Sequence, residues 1–345
     1  MVETTKKGEA IRQYILDNVG KHPENITART SAQFGISRQA VHKHLRRLIE
    51  QKTLRAHGAT RSRRYTLHPL ADWEKTYALN ALDEHAVWDA DISGFMPGLS
   101  SHADSIWHYG FTEMLNNAIS HSGGDAVFIR VFKTAATTRI HIRDNGEGIF
   151  NKIRRAEGLA DERHATLELA KGKFTTDPDN HSGEGIFFSS RAFSHFVILS
   201  DDIFFSHQPE PDEDWIRMTE SVRSGTGVFM ELPNRTRRKL KTIFDRFAPE
   251  DEYAFNQTII PVRLARYGDG RLVSRSQAKR LLSGLDKFES VTFDFKHVAT
   301  IGQAFADEIF RVFQAHHPRM ELTHVNAGRA VTQMITRALA HRRAQ

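Results

Sequence analysis

Apolar residues near the N-terminus repeat at helical spacing, and two short strand-like pieces follow them. Ile11, Tyr14 and Ile15 predict a helix that ends at Gly20. The elements that follow are a short helix over 27–34, a turn at 35–37 in which Ser37 caps the next helix, that helix over 38–51, and strands over 54–57 and 64–67. The pattern therefore predicts a small domain over residues 1–70.

Residues 71–91 predict a connector helix between this domain and the next. Its apolar residues are Trp73, Tyr77, Leu79, Leu82 and Val87. Because a helix with such a face must pack on something, it would transmit a signal or form the seam of a homodimer. The sequence leaves both alternatives open.

The remaining pattern predicts two larger units. Over residues 92–240, strands at 126–132 and 138–143 follow a helix at 111–122, and residues 193–205 and 215–231 complete the sheet. Over residues 250–345, strands alternate with helices, which predicts a small α/β layer. The predicted fold class is therefore multidomain, combining α/β and α+β units.

Charge and composition narrow the choice of partners. Residues 1–70 contain fourteen Lys or Arg and five Asp or Glu, a balance of +9, so the rest of the chain carries −3 of the net +6. This asymmetry predicts a polyanion partner at the N-terminal end. The chain has no cysteine, no signal-peptide pattern and no spanning apolar run, so we expect a cytoplasmic protein without a membrane partner.

Candidate chemistry begins in the helix over 111–122. Glu113 and Asn117 are four residues apart, so a carboxylate and a carboxamide lie on one face of this helix. On its own, that spacing is also typical of a solvated polar face. Downstream, Asp144-Asn-Gly-Glu-Gly148 follows a strand and could be a plain turn, whereas Ser182-Gly-Glu-Gly185 opens a helix. Glycines at a helix start let backbone amides approach a phosphate.

Together with Gly225-Thr-Gly227, these motifs in this order resemble the GHKL ATPase superfamily, which includes DNA gyrase and the histidine kinases. The resemblance covers about residues 90–240 and implies a Bergerat α/β sandwich that binds ATP and Mg²⁺. It implies the following roles: Glu113 as general base, Asn117 as Mg²⁺ ligand, Asp144 as acceptor for the adenine amino group, Gly146 and Gly148 at adenine, Gly183 and Gly185 at the phosphates, and Thr226 in support of the adenine end. Lys171 or Lys173, in a lid over 150–182, would reach the γ-phosphate or remain solvated.

The first domain is similar to a winged helix-turn-helix of the bacterial regulator type, over about residues 5–68. Its basic helix and basic hairpin match a fold that places one helix in the major groove of duplex DNA. The resemblance implies base-edge contacts from Ser37, Arg38, Gln39, His42 and Lys43, and phosphate contacts from Arg46, Arg61, Arg63 and Arg64. Such domains also serve as protein-docking modules, and that alternative stays open.

The run from Asp294 to Phe305 resembles the strand-to-helix switch of STAS domains, and the whole third unit is similar to the STAS-like domain of unknown function. Phosphorylated STAS domains carry a serine in this turn. Here the turn is Gly302-Gln-Ala-Phe305, so the acceptor serine is absent and Thr300 is only a nearby substitute. A protein partner for this unit is a further expectation.

These resemblances predict an ATP-responsive DNA-binding regulator in which Mg-ATP is bound and hydrolysed and alters how the domains contact one another. Two alternatives remain. One is an anti-sigma-type serine/threonine kinase, which the missing acceptor hydroxyl argues against. The other is a nucleotide sensor without turnover, whose winged helix docks a protein.

Overall fold

The computed structural model describes residues 2–59, 62–159, 162–174, 183–208, 213–218, 224–247, 255–265 and 271–343. Over these ranges the chain is a multidomain mixed α/β protein with sheets of two, seven and three strands. Three clusters of buried apolar side chains form its cores. No helix within these ranges is both long enough and apolar enough to cross a membrane.

Three helices and a hairpin form the N-terminal unit. They are α1 (Val2–Val19), α2 (Ile26–Phe34), α3 (Arg38–Glu50), β1 (Leu54–His57) and β2 (Arg64–Leu67). Helix α2 ends where Gly35 adopts the left-handed conformation. Helix α3 begins where the Ser37 hydroxyl accepts a hydrogen bond of 3.2 Å from the Ala40 amide. The buried faces of these elements, which include Ile15 and Leu45, form one core.

A seven-stranded antiparallel sheet forms the centre of the molecule. Its order is β3-β4-β5-β9-β6-β7-β8, with β3 (Ala71–Ala78), β4 (Ala126–Lys133), β5 (Thr137–Asp144), β6 (His195–Ser200), β7 (Ile203–Gln208), β8 (Glu213–Met218) and β9 (Thr226–Pro233). Side chains such as Ile129, Ile140, Ile142 and Val228 are buried on one face. That face carries the helices.

The connector over 71–91 is not the single helix that the sequence predicts. Residues 71–78 form β3, which pairs with β4 at the edge of the sheet. Trp73 and Tyr77 are four residues apart, and four is close to the helical period but is also twice the strand period. Both side chains pack against the central core. The unpaired edge of β4 therefore decides between the two conformations, and only a short helix follows at Glu84–Val87.

That short helix is α4, and a π-helical turn, Trp88–Ile92, continues it. The other helices of the central unit are α5 (Ser101–His121), α6 (Ile149–Ala156), α7 (Glu162–Lys171) and α8 (Gly185–Ala192). Helix α5 begins at Ser100, whose hydroxyl accepts a hydrogen bond from the Ala103 amide. Ile106, Phe111 and Leu115 of α5 are fully buried against the sheet. The polar face of α5 is thereby held in a fixed orientation.

The C-terminal unit is a three-stranded parallel sheet packed with helices. Its elements are β10 (Gln257–Pro261), α10 (Arg275–Leu282), β11 (Ser290–Asp294), α11 (Gln303–Asp307), α12 (Gln314–His316), β12 (Glu321–Val325) and α13 (Arg329–Arg343), with strand order β10-β11-β12. Helix α9 (Leu240–Asp245) precedes this unit and packs on α5 and α8 of the central unit. A π-helical turn, Glu308–Phe313, joins α11 to α12. Ser274 and Gln277 form a capping box at the start of α10, as the predicted N-cap at Ser274 requires.

The core of the C-terminal unit extends into the central unit. Leu167 of α7 and Phe187 and Phe188 of α8 are buried in the same cluster as Phe255 and Phe288. The ring centroids of Phe187 and Phe255 are 4.6 Å apart. Two helices of the central unit therefore use one side to pack on the C-terminal unit.

Candidate functional site

A cavity of about 290 Å³ lies between α5 and the helix-covered face of the central sheet. Its apolar lining includes Met114, Ile142, Ile149, Ile153, Ile198 and Val228. Its polar lining includes Glu113, Asn117, Asp144, Lys152 and Thr226. A mostly apolar cleft with a few convergent polar groups is the usual form of a small-molecule site.

Asp144 lies at the buried end of β5, where two backbone amides hold its carboxylate. Its Oδ1 accepts hydrogen bonds from the Gly146 amide at 2.9 Å and the Thr226 amide at 3.1 Å. Gly225 has φ +89°, and a side chain there would collide with the Asp144 carbonyl. Glycine at position 225 therefore allows β9 to pack closely against Asp144.

Burial raises the pKa of the Asp144 carboxyl above its ordinary value. The amides of Gly146 and Thr226 favour the charged form and oppose this shift. The Thr226 hydroxyl accepts a hydrogen bond of 2.9 Å from the Ile149 amide, which ties β9 to the start of α6. The Asp144 carboxylate is thus held in place by two backbone amides where it lines the cavity.

Glu113 and Asn117 line the cavity from α5, one helical turn apart. Gly185, at the start of α8, lies so close to Glu113 that a methyl group on it would collide with Glu113 Oε2. Helix α8 therefore places its N-terminus beside the Glu113 carboxylate. Burial, and then the charges of Glu113 and Glu184, raise the pKa of the neighbouring Tyr109 hydroxyl.

The Asn117 carboxamide fits an oxygen ligand for a cation. Its Nδ2 is buried and, within the described ranges, has no hydrogen-bond partner. The oxygen and nitrogen of an amide are assigned from their hydrogen bonds, so the position of this unpartnered Nδ2 can equally hold the amide oxygen. Neither at this cavity nor elsewhere in the described part of the chain do three or more His, Asp or Glu residues form a group suited to a metal.

Gly148, Gly183 and Gly185 line the cavity, whereas Gly146 is not among its lining residues and donates its amide to Asp144. Lys171 and Lys173 do not line it. Lys171 is 1% exposed and Lys173 donates to the Lys287 carbonyl at 3.1 Å, so both are directed to the C-terminal unit. Both ammonium groups point away from the cavity, although Leu169 and Phe174 of the same segment line it. A contact with a γ-phosphate when the lid closes stays a prediction. The predicted lid falls partly outside the described residues, at 160–161 and 175–182.

Lys152 is a cavity residue that the sequence analysis missed. It lines the cavity from α6, and its Nζ donates a hydrogen bond of 2.7 Å to the His121 carbonyl at the end of α5. The sequence indicates its location, because Lys152 lies in the first turn of the helix that follows Gly148, and Gly148 belongs to one of the predicted site motifs. The cavity thus contains one lysine ammonium among the groups that could meet an anion.

The predicted DNA-contacting residues that the structure describes are exposed on or beside α3 and on the hairpin of the N-terminal unit. Arg38, Gln39, His42, Lys43 and Arg46 are exposed on α3, opposite the buried Val41, Leu45 and Leu48. Arg63 and Arg64 are exposed on the hairpin, and Arg63 lies 5.6 Å from the Tyr65 ring centroid. The Ser37 hydroxyl caps α3. Arg61 lies outside the described residues.

This surface is basic and largely unneutralised. Among the described residues, Arg38, Lys43, Arg46, Arg63 and Arg64 form no ion pair. A cluster of cations without carboxylate partners attracts polyanions more strongly than one that is already paired. The face therefore keeps its charge available to a ligand.

At the C-terminal unit, the turn before α11 carries Gly302 and no hydroxyl through Phe305, as its sequence requires, and Thr300 is exposed just ahead of it. The Asp294 carboxylate at the end of β11 accepts hydrogen bonds from the Lys296 amide at 2.9 Å and Asn326 Nδ2 at 2.8 Å. These bonds order the loop after the central strand.

Comparison with known families identifies the C-terminal unit. Residues 277–331 match the family described as STAS-like domain of unknown function (DUF4325). The match begins within α10 and ends within α13, and it includes all of β11 and β12. The expectation of a STAS-like C-terminal domain is confirmed. No curated protein matches the chain.

Proposed function

We propose that the central unit is a Bergerat-type domain that binds and hydrolyses ATP, and that the bound nucleotide controls binding of the N-terminal winged helix to duplex DNA. The observation that carries this proposal is the cavity, where the framed Asp144 carboxylate, the Glu113–Asn117 pair and the N-terminus of α8 converge. This arrangement supplies one acceptor for a base, one oxygen ligand for a cation and backbone amides for an anion.

Each end of the cavity suits one part of ATP. The apolar walls and the Asp144 acceptor suit the adenine ring and its amino group. The α8 N-terminus and the Lys152 ammonium suit the phosphates, because amides and cations stabilise negative charge there. Asn117 would hold Mg²⁺, which supplies charge neutralisation at the phosphates when it is bound.

Glu113 suits the role of general base in hydrolysis. A water oxygen attacks the γ-phosphorus, the bond from that phosphorus to the β–γ bridging oxygen breaks, and ADP leaves with that oxygen. Glu113 takes the proton that the water releases, provided that the carboxylate lies within hydrogen-bond reach of the water. A positioned base typically contributes about 10²- to 10⁴-fold in rate.

The winged-helix half of the proposal rests on the exposed basic face of α3 and the hairpin. A helix that follows a tight turn and a capped start, with cations on its solvent side, matches the docking of a recognition helix in the major groove. The cations on the hairpin are positioned to meet phosphates beside the groove. Docking on an acidic protein surface is the competing use of this face.

The test separates binding from turnover at α5. We expect Glu113→Ala to retain ATP binding by calorimetry in the presence of Mg²⁺ but to lose about 10²- to 10⁴-fold in phosphate release. Asn117→Ala should lose both. Glu74→Ala, on the exposed edge strand β3, is the matched carboxylate control and should behave as wild type. Wild-type phosphate release by Glu113→Ala would remove the base assignment.

The same assay, run with γ-labelled ATP, distinguishes the rivals. Label transferred to the protein would favour a kinase, with the exposed Thr300 as the nearest hydroxyl, because residues 302–305 contain none. ATP binding without phosphate release, with or without DNA, would favour a sensor that does not turn over. Release of free phosphate supports the ATPase.

A further inference from the structure

A buried lysine joins helix α7 to the C-terminal unit. Lys171, the last residue of α7, is 1% exposed, and its Nζ donates to Glu168 Oε1 at 2.7 Å within the same helix. The same ammonium donates to two carbonyls at the end of α10, Ser283 at 2.7 Å and Arg280 at 3.3 Å. A buried ammonium requires such partners, because desolvation is costly without them.

The reverse contact runs from the C-terminal unit back to α7. The Thr258 hydroxyl of β10 donates a hydrogen bond of 2.6 Å to the Lys171 carbonyl, and this pair is buried. Leu167, one turn earlier, packs in the C-terminal core. Burial lowers the pKa of Lys171, while Glu168 acts in the opposite direction. Two of the three protein acceptors of the Lys171 ammonium are thus supplied by the C-terminal unit, and α7 meets them when it is docked there.

The opposite side of the same segment lines the candidate site. Leu169, two residues before Lys171, and Phe174, three residues after it, both contribute to the cavity wall. Between them, a side chain on Gly172 would collide with the Phe255 and Phe187 rings, so the backbone is pressed against the C-terminal core. Any shift of α7 away from the C-terminal unit must therefore move part of the cavity wall.

We propose that the STAS-like unit positions α7 through Lys171 and thereby sets the affinity of the cavity for nucleotide. Lys171 is a positioning residue, and the inference rests on the proposed nucleotide binding. Packing of α7 on the C-terminal unit orders Leu169 and Phe174 before the ligand binds. The entropy cost of ordering them is therefore not subtracted from the binding free energy. Because linkage is reciprocal, nucleotide must then strengthen the hold on α10 by the same factor.

The experiment compares Lys171→Met with wild type in the full chain. Methionine keeps the length and apolar stem but removes every donor. We expect the dissociation constant for ATP with Mg²⁺ to rise about 5- to 50-fold by calorimetry, within the usual range of coupling between sites. ATP should slow amide hydrogen exchange over residues 275–283 in wild type, and this protection should vanish in the variant. Lys241→Met, an exposed lysine on α9, is the control.

A second variant, Thr258→Val, removes the return hydrogen bond and should shift affinity in the same direction by a smaller factor. It carries the test if Lys171→Met does not fold. Variants that lose thermal stability but keep wild-type affinity and ATP-dependent protection would overturn the inference, since Lys171 would then be structural only. Tighter ATP binding would overturn it too. If wild type itself binds no ATP, the proposed function fails, which is a different result from equal binding in both proteins.

Discussion

At the residue scale, the cavity depends on one carboxylate whose surroundings are fixed by backbone. Asp144 is 6% exposed, and both of its named donors are amides of glycine-box segments. Backbone amides are fixed by the fold and, unlike side-chain donors, do not change rotamer. The position of Oδ1 therefore does not depend on the rotamer of a donor side chain. The assignment of Asp144 to the adenine end can therefore be tested by changing charge while keeping shape.

Asp144→Asn should weaken ATP binding by about 1.5–3 kcal/mol, because a hydrogen bond to a charged acceptor is replaced by a weaker one. Burial raises the pKa of Asp144, so the carboxylate is protonated at a higher pH than an ordinary aspartate. ATP affinity of wild type should accordingly fall as the pH is lowered from 7 toward that raised pKa. Calorimetry over this range measures both effects, with Asp245→Asn on α9 as control. A variant with wild-type affinity would show that adenine lies elsewhere.

At the element scale, α3 and the β1–β2 hairpin each expose basic side chains. Replacing Arg46, Arg63 and Arg64 by alanine should weaken binding to every duplex and flatten its salt dependence, by about 0.9 in log–log slope for each lost phosphate contact. Gln39→Ala should change sequence preference instead, because a base-edge contact carries sequence information. Fluorescence anisotropy over a salt series measures both.

The charge-matched control for that series replaces Lys241, Lys279 and Arg337, which are exposed on α9, α10 and α13. An unchanged slope in the α3–hairpin variant would move the nucleic-acid contact elsewhere. An equal loss in the control would mean that net charge, rather than this surface, governs binding. If wild type binds no duplex but does bind an acidic protein, the basic face would instead be a protein-docking surface.

At the scale of the whole molecule, the central unit contacts both of its neighbours. The C-terminal unit shares its core with α7 and α8. On the N-terminal side, Ala135, in the turn between β4 and β5, packs against the core of the three-helix unit. The carboxyl of Asp17 on α1 is also within electrostatic range of Arg235, which follows β9. A change in the central unit would thus have a physical route to each end.

At the scale of the whole molecule, we predict how DNA binding changes with time after one dose of ATP. Wild type should change its DNA affinity and then return to the starting value as ATP is consumed. Glu113→Ala should change and not return, since it retains ATP without hydrolysing it. Anisotropy of labelled duplex, read beside phosphate release, follows both events. A catalytically inactive variant that returns like wild type would disconnect hydrolysis from DNA binding.

Much of the secondary structure follows from local pattern. The caps at Ser37 and Ser274, the helix over Glu113 and Asn117, and the two strands of the hairpin lie where their spacing places them. Each of these signals acts over a few residues, through capping bonds or through burial of one face. Glu113, Asn117, Asp144 and Thr226, which the motifs group together, line one cavity.

Other features required the tertiary structure, because they depend on pairs that are distant in sequence. Trp73 and Tyr77 have a spacing that suits a helix or a strand, and only pairing with β4 makes them a strand. From the local sequence, Lys171 and Lys173 are candidates for a phosphate contact. In the structure, their ammonium groups donate hydrogen bonds to the carbonyls of Ser283 and Lys287, which are more than a hundred residues away in sequence. Lys152 enters the cavity only because α6 docks beside the end of α5. Local periodicity determines which face is buried, whereas the partner that buries it is decided by packing of the whole chain.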